Sequence, residues 1–193
     1  HLNDWGARVH AFVVTRRREA DPKLELLRER AVDLTVAGEG TGMKGLAHAL
    51  GSATVVLDAV LGTGRTRGLA GVVREALLQT QAEKKRRSGL LIVALDLPSG
   101  LDANTGACDA ATPVADVTLS LGLPKVGLFT FPGAGRVGRL KVLDIGIPAD
   151  LVKDVQLEVA SADWVRPMLP ARPPNANKGT FGRVLVIGGS AEY

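Results

Sequence analysis

The stretch from Thr54 to Leu95 decides the fold. It opens with TVVLDAVL (Thr54 to Leu61), passes through the loop Gly62-Thr63-Gly64-Arg65-Thr66-Arg67-Gly68, runs on from Leu69 to Ala82, and closes with LLIVAL (Leu90 to Leu95). The two apolar runs are too short to span a bilayer. Their near-uniform apolarity predicts strands covered on both faces and central in a sheet. The segment from Leu69 to Ala82 has the apolar spacing of an amphipathic helix, followed by the basic run Lys84-Lys85-Arg86-Arg87. Strand, helix and strand in this order predict a parallel unit with a right-handed crossover.

Working outward, the same alternation continues on both sides. Arg8 to Val14 reads as a strand and Pro22 to Ala31 as a helix, with Asp21 as N-cap and Pro22 in its first position. Val32 to Val36 reads as a short strand and Met43 to Leu50 as a short helix. Downstream, Asp116 to Leu121 and Arg139 to Ile145 are expected strands, joined by a glycine-rich turn at Gly133 to Gly138. The whole predicts one parallel α/β sheet. Near residue 167 the pattern changes: MLPARPPNAN (Met168 to Asn177) carries three prolines and reads as an extended linker. Beyond it Arg183 to Ile187 reads as a new buried strand running into Gly188-Gly189-Ser190, the opening of a second α/β domain.

Composition sets the outer limits. The chain has 193 residues, 46% apolar and 23% charged, which suits a folded globular protein. A single cysteine, Cys108, excludes an internal disulfide framework and a multi-cysteine zinc site, and makes a reducing cytoplasm the expected home. The formal net charge is +4, concentrated in Arg16-Arg17-Arg18 and Lys84-Lys85-Arg86-Arg87. Aromatics are only 4%, and no nucleic-acid reading motif accompanies the charge, so no nucleic-acid partner is expected. No membrane segment is expected either. The sequence begins at His1 and reads as a piece of a longer protein.

Chemistry gathers at the carboxyl ends of the expected strands, the edge where open parallel sheets bind ligands. The loop Gly62 to Gly68 can turn backbone N–H groups toward an anion at a helix N-terminus, with Arg65 and Arg67 adding charge; a tight turn is the plainer reading. Asp58 is a carboxylate inside an apolar strand and needs a partner, either a cation, a hydrogen-bonding ligand or a nearby arginine. Asp96 closes the LLIVAL strand and leads into Leu97-Pro98-Ser99-Gly100-Leu101-Asp102. Its carboxylate, the Ser99 hydroxyl and the loop carbonyls suit a hard cation, or else form an Asx-type turn. Lys125, in Leu123-Pro124-Lys125-Val126-Gly127-Leu128, is by default a solvated lysine.

The runs VLDAVLGTG, ALDLPSGLDANTG, LPKVGL and KVLDIGIP, in this order and spacing, resemble the NAD(P)H-hydrate epimerase family. The tail KGTFGRVLVIGGSAEY resembles the start of the ADP-dependent NAD(P)H-hydrate dehydratase domain, a pairing found in bifunctional NAD(P)H-hydrate repair enzymes. The resemblance implies a Rossmann-like three-layer α/β/α fold with a mostly parallel sheet, followed by the first strand of a ribokinase-like α/β domain. It implies an epimerase domain over residues 1–160, a linker over 161–177 and a truncated dehydratase start over 178–193. It also implies that Gly62, Thr63, Gly64, Arg65, Thr66, Arg67 and Gly68 hold the phosphates of hydrated NADH or NADPH. By the same resemblance Asp96 contacts the hydrated nicotinamide as acid/base, and Asp58 and Ser99 bind potassium. ADP would serve only the dehydratase half, whose site this chain lacks.

Two departures qualify that expectation. The family's first strand and its Asn-Asn-Gly-Gly-Asp-Gly loop would lie just before His1, and His1 to Trp5 looks like the tail of the first helix. The dehydratase half is cut after its first strand, without its substrate and ADP sites. The segment as given is therefore expected to be impaired in both reactions. The competing functional readings are a non-catalytic nucleotide-binding or protein-interaction module and a nicotinamide dehydrogenase. The latter is weakened by the lack of a dinucleotide fingerprint. The oligomeric state, a homo-oligomer included, is left open.

Overall fold

The computed structural model describes residues 1–14, 21–37, 42–64, 68–177 and 179–187. The chain divides into two compact units, His1–Ile147 and Pro148–Tyr193. The first contains β1 (His10–Val13), α1 (Pro22–Glu29), β2 (Asp33–Val36), α2 (Gly42–Ser52), β3 (Val55–Asp58) and α3 (Gly71–Arg86). Then come β4 (Leu91–Leu95), β5 (Val117–Leu121) and β6 (Arg139–Leu143). All strand pairings are parallel, as an α/β fold requires. Residues 2–6 form a turn, with Trp5 N–H bonded to the His1 carbonyl at 2.9 Å.

The local signals act as expected at several points. Asp21 caps α1, accepting from Lys23 N–H at 3.0 Å, with Pro22 in the first turn. α2 and α3 pack together over one face of the second sheet, where Leu46, Leu50 and Ala76 meet Val56. Val56 in turn packs with Ile92, Ala94 and Ala115. No helix joins β4 to β5; residues 96–116 cross as loop, and their apolar side chains Leu97 and Leu101 pack with Leu128 and Val137. That loop approaches the next one very closely. A Cβ on Gly127 would lie 2.1 Å from the Asp102 carbonyl oxygen, so only glycine lets the two backbones meet.

Four expectations need correction. Among the described residues the strands form two sheets, β1-β2 and β3-β4-β5-β6, and not one. β4 is internal, but β3, expected to be central, is an edge strand. Its outward-alternating residues Val55 and Leu57 are 51% and 49% exposed, and Leu91 beside them is also exposed. The apolar run correctly reported two apolar faces. It carried no information on whether the described residues supply an element to cover each.

The helix expected to end at Ala82 continues through Arg86. Cations suit the last turn of a helix, and these find acceptors. Lys84 bonds the Leu90 carbonyl at 2.6 Å and both Asp116 carboxylate oxygens at 2.8 Å. Arg86 pairs with Glu83. Arg87, just beyond the helix, donates to the carbonyls of Leu50, Gly51 and Ala53 and so caps the end of α2.

In the second unit, α4 (Ala162–Val165) is capped by Ser161, whose hydroxyl accepts from Trp164 N–H at 3.1 Å. The strand expected at Arg183 to Ile187 does not form, and Val184 to Ile187 are between 80% and 90% exposed. A strand needs a ladder partner, and no described residue of this unit is in a strand. Gly188, Gly189 and Ser190 lie outside the described residues.

Asp116 bonds Ile92 N–H at 2.7 Å as well as Lys84, and so joins α3, β4 and the start of β5. Burial pushes its carboxyl up, but the bonds from Lys84 and Ile92 outweigh that and hold it below the usual carboxylate range. The stabilisation is therefore present above that range and lost as the solution is acidified. Lys84→Met is expected to cost about 1–3 kcal/mol at neutral pH, with a smaller further loss on acidification than in the parent. Urea unfolding at several pH values checks this. Equal acid sensitivity in the two proteins would contradict it.

Candidate functional site

Because β3, β4 and β5 are parallel neighbours, the loops that follow them emerge side by side at one edge. Asp58 ends β3, on the same face as Val56, and is only 3% exposed. Its Oδ1 accepts from Ser99 Oγ at 2.6 Å and from Val60 N–H at 3.4 Å, and its Oδ2 accepts from Ser99 N–H at 2.8 Å. Ser99, fully buried, also accepts from Leu61 N–H at 3.0 Å. The carboxylate thus ties the end of β3 and the stem of the glycine loop to the loop after β4. Burial pushes the Asp58 carboxyl up, and the bonds from Ser99 and Val60 only partly offset it.

Asp96 occupies the first position after β4, with its backbone in the left-handed region at φ 70°. Asp is among the few non-glycine residues that visit this region, at a cost of about 1–3 kcal/mol. Its N–H remains bonded to the Leu119 carbonyl at 2.8 Å. Oδ1 accepts from Leu121 N–H at 3.2 Å and from the Lys125 ammonium. Oδ2 turns the other way: a methyl group placed on Gly62 would lie 3.8 Å from it. The carboxylate therefore stands between the loops after β3 and β5, at the carboxyl edge of the sheet.

The Asx-type turn that the sequence allowed for Asp96 and Ser99 is made by Asp102. Its Oδ1 accepts from Thr105 N–H and Thr105 Oγ1 at 2.8 Å and from Asn104 N–H at 3.0 Å, bonds that lower its carboxyl below the usual range. Lys125, by default a solvated lysine, is mostly buried and bonded to Asp96. The missed signal was pairwise: a carboxylate at the end of one strand and a cation in the loop after the neighbouring strand.

Gly62, Thr63, Gly64 and Gly68 belong to the loop between β3 and α3. Arg65, Thr66 and Arg67 lie outside the described residues. Potassium, implied for Asp58 and Ser99 by the family resemblance, is compatible with their chemistry. Both present hard oxygens, and after the bonds above, Asp58 Oδ2 and Ser99 Oγ each keep one lone pair. Among the described residues no cationic side chain forms an ion pair with Asp58.

The sequence model of the family described as YjeF-related protein N-terminus matches residues 1–127. The chain belongs to this family. Among its relatives is a protein named bifunctional NAD(P)H-hydrate repair enzyme from Moorella thermoacetica, 37% identical across 98% of this chain and 36% of that protein. Another of the same name, from Thermofilum pendens, is 36% identical across 100% of this chain and 36% of that protein. The chain thus spans about a third of the length of these relatives. The crystal structure of the yeast protein YNL200c aligns over 85% of this chain and 67% of its own, with TM-score 0.64 and 19% identity, a likeness of fold.

The raised Asp58 carboxyl carries a pH signature within this YjeF-family fold. The native state keeps that proton to higher pH than the unfolded chain, so stability falls as pH rises from about 4 through the raised value. Asp58→Asn removes the titration. The gap in melting temperature between variant and parent should move in the variant's favour as pH rises toward neutrality. Parallel curves across that range would refute the assignment.

Proposed function

We propose that this chain carries the epimerase of an NAD(P)H-hydrate repair enzyme, interconverting the R and S forms of hydrated NADH and NADPH. The observation that carries this reading is Asp96: a carboxylate set in left-handed backbone at the sheet edge, with Oδ2 facing the glycine loop. Family membership and the names of the relatives support it.

The chemistry asked of the site is modest. In the hydrate a hydroxyl sits on C6, next to the ring nitrogen. Asp96, as acid, passes a proton to that hydroxyl as the C6–O bond breaks, and water leaves as the nitrogen lone pair forms an iminium. Water then adds to the opposite face and returns a proton to the carboxylate. Asp96 is acid in one half and base in the other. The loop Gly62 to Gly68, with Arg65 and Arg67, would hold the dinucleotide phosphates.

Asp58 and Ser99 would contribute oxygens to a potassium ion, which supplies positive charge beside the buried carboxylate when bound. In the full-length protein a second domain would dehydrate the S form with ADP, at a site outside this chain. A cytoplasmic location fits such a role.

The test follows epimerisation by chromatographic separation of the R and S hydrates in the full-length protein. Asp96→Asn should lower the rate by about a hundredfold to ten-thousandfold, with dinucleotide affinity much less affected. Arg65→Ala with Arg67→Ala should weaken binding first. Gly62→Ala should leave the melting temperature near the parent value, since a Cβ there meets only ordinary contact, while slowing turnover by filling space beside Asp96 Oδ2 that the substrate would occupy. An Asp96→Asn protein as fast as the parent under saturating substrate would overturn the acid/base assignment.

A further inference from the structure

Among the described residues two lysine–aspartate pairs are built across the second sheet, and their geometries differ. In the first, Lys84 contacts both Asp116 oxygens at 2.8 Å and Ile92 N–H donates to Oδ2 as well, so both oxygens are engaged. In the second, Lys125 and Leu121 N–H converge on Asp96 Oδ1 alone. Asp96 Oδ2 has no hydrogen-bond partner among the described residues and faces Gly62. A pair serving only to bind two elements together gains by engaging both oxygens, as the first does. The second fixes one oxygen and reserves the other.

The ammonium of Lys125 is itself held by three acceptors. Besides Asp96 it donates to the Leu121 carbonyl at 2.9 Å and to Ser120 Oγ at 3.3 Å. Its backbone is anchored too. The turn it starts is closed by Leu128 N–H on the Lys125 carbonyl at 3.0 Å, and Gly127 N–H donates to the Ala103 carbonyl at 2.7 Å. The loop bearing Lys125 is therefore docked on the loop bearing Asp96, and the two groups meet with side chains only 19% and 17% exposed.

We propose that Lys125 is a positioning residue that grips Oδ1 of Asp96 and so aims Oδ2 at the substrate beside the glycine loop. It also helps to hold Asp96 in the left-handed backbone that this aim requires. The proposal rests on the reading of Asp96 as the acid/base. Lys125 does not touch the substrate; it acts through the carboxylate.

A double-mutant cycle on the intact protein tests it, with kcat and KM for epimerisation read separately. Lys125→Met should lower kcat by about tenfold to a hundredfold, the scale of a misaimed catalytic group, and leave KM within about twofold of the parent. Added to Asp96→Asn it should change kcat by less than about twofold, because the group it positions no longer transfers protons. Lys125→Leu, which like Met donates nothing to Oδ1, is read in the same way should the Met variant melt early.

A Lys125 variant with parent kcat overturns the proposal while a slow Asp96→Asn leaves the acid/base reading standing. So does a variant that raises KM alone, or one that slows the Asp96→Asn protein by the same factor as the parent. A fast Asp96→Asn protein overturns the acid/base reading and this inference with it, and that single variant identifies which has failed.

Discussion

A buried carboxylate that has no ionic partner among the described residues holds the carboxyl edge of the sheet together. Ionised groups are rarely left so deep, because burial favours the neutral form. Asp58 is tolerated because the Ser99 amide and hydroxyl and the Val60 amide converge on it. The same serine accepts from Leu61 N–H, so one side chain fixes the end of β3, the stem of the glycine loop and the loop after β4. The relative position of Gly62 and Asp96 follows from that knot. Geometry at the crevice is thus set by a polar interaction at the sheet edge, with the aliphatic clusters beneath supplying the bulk of the burial.

A second layer of polar contacts holds the helices to this frame. Lys84 brings the last turn of α3 to Asp116 and Leu90, and Arg87 spends its guanidinium on carbonyls at the end of α2. Cations that look in sequence like a surface run are largely engaged within the fold. The charge seen by a polyanion is correspondingly smaller than the run suggests.

The fold was legible wherever the signal was local. Asp21-Pro22 announced α1, the apolar runs announced β3 and β4, and loops after parallel strands announced the crevice. What stayed hidden depended on distant partners. Asp58 and Ser99 were each named as ligands of a shared ion, but not as partners of one another across 41 residues. Lys125 and Asp96 meet across 29 residues, and Lys84 and Asp116 across 32. The extension of α3 through Arg86 follows from those distant acceptors as much as from helix propensity. Val55 and Leu57 look like core in sequence, since an apolar side chain does not say whether a neighbour covers it. Val184 to Ile187 make the same point: an apolar run becomes a strand only where a ladder receives it.

The left-handed backbone at Asp96 also restricts how this position can change over generations. Glycine would relieve the backbone but delete the carboxylate. Glutamate would keep a carboxylate but is ill suited to the conformation and reaches too far for Lys125 and Leu121 N–H. Asparagine suits both the shape and the backbone but cannot carry the proton that the proposed acid/base role asks of this position. Under that proposed role each of these three exchanges gives up one of the requirements that aspartate meets together, which narrows the routes by which the position can drift.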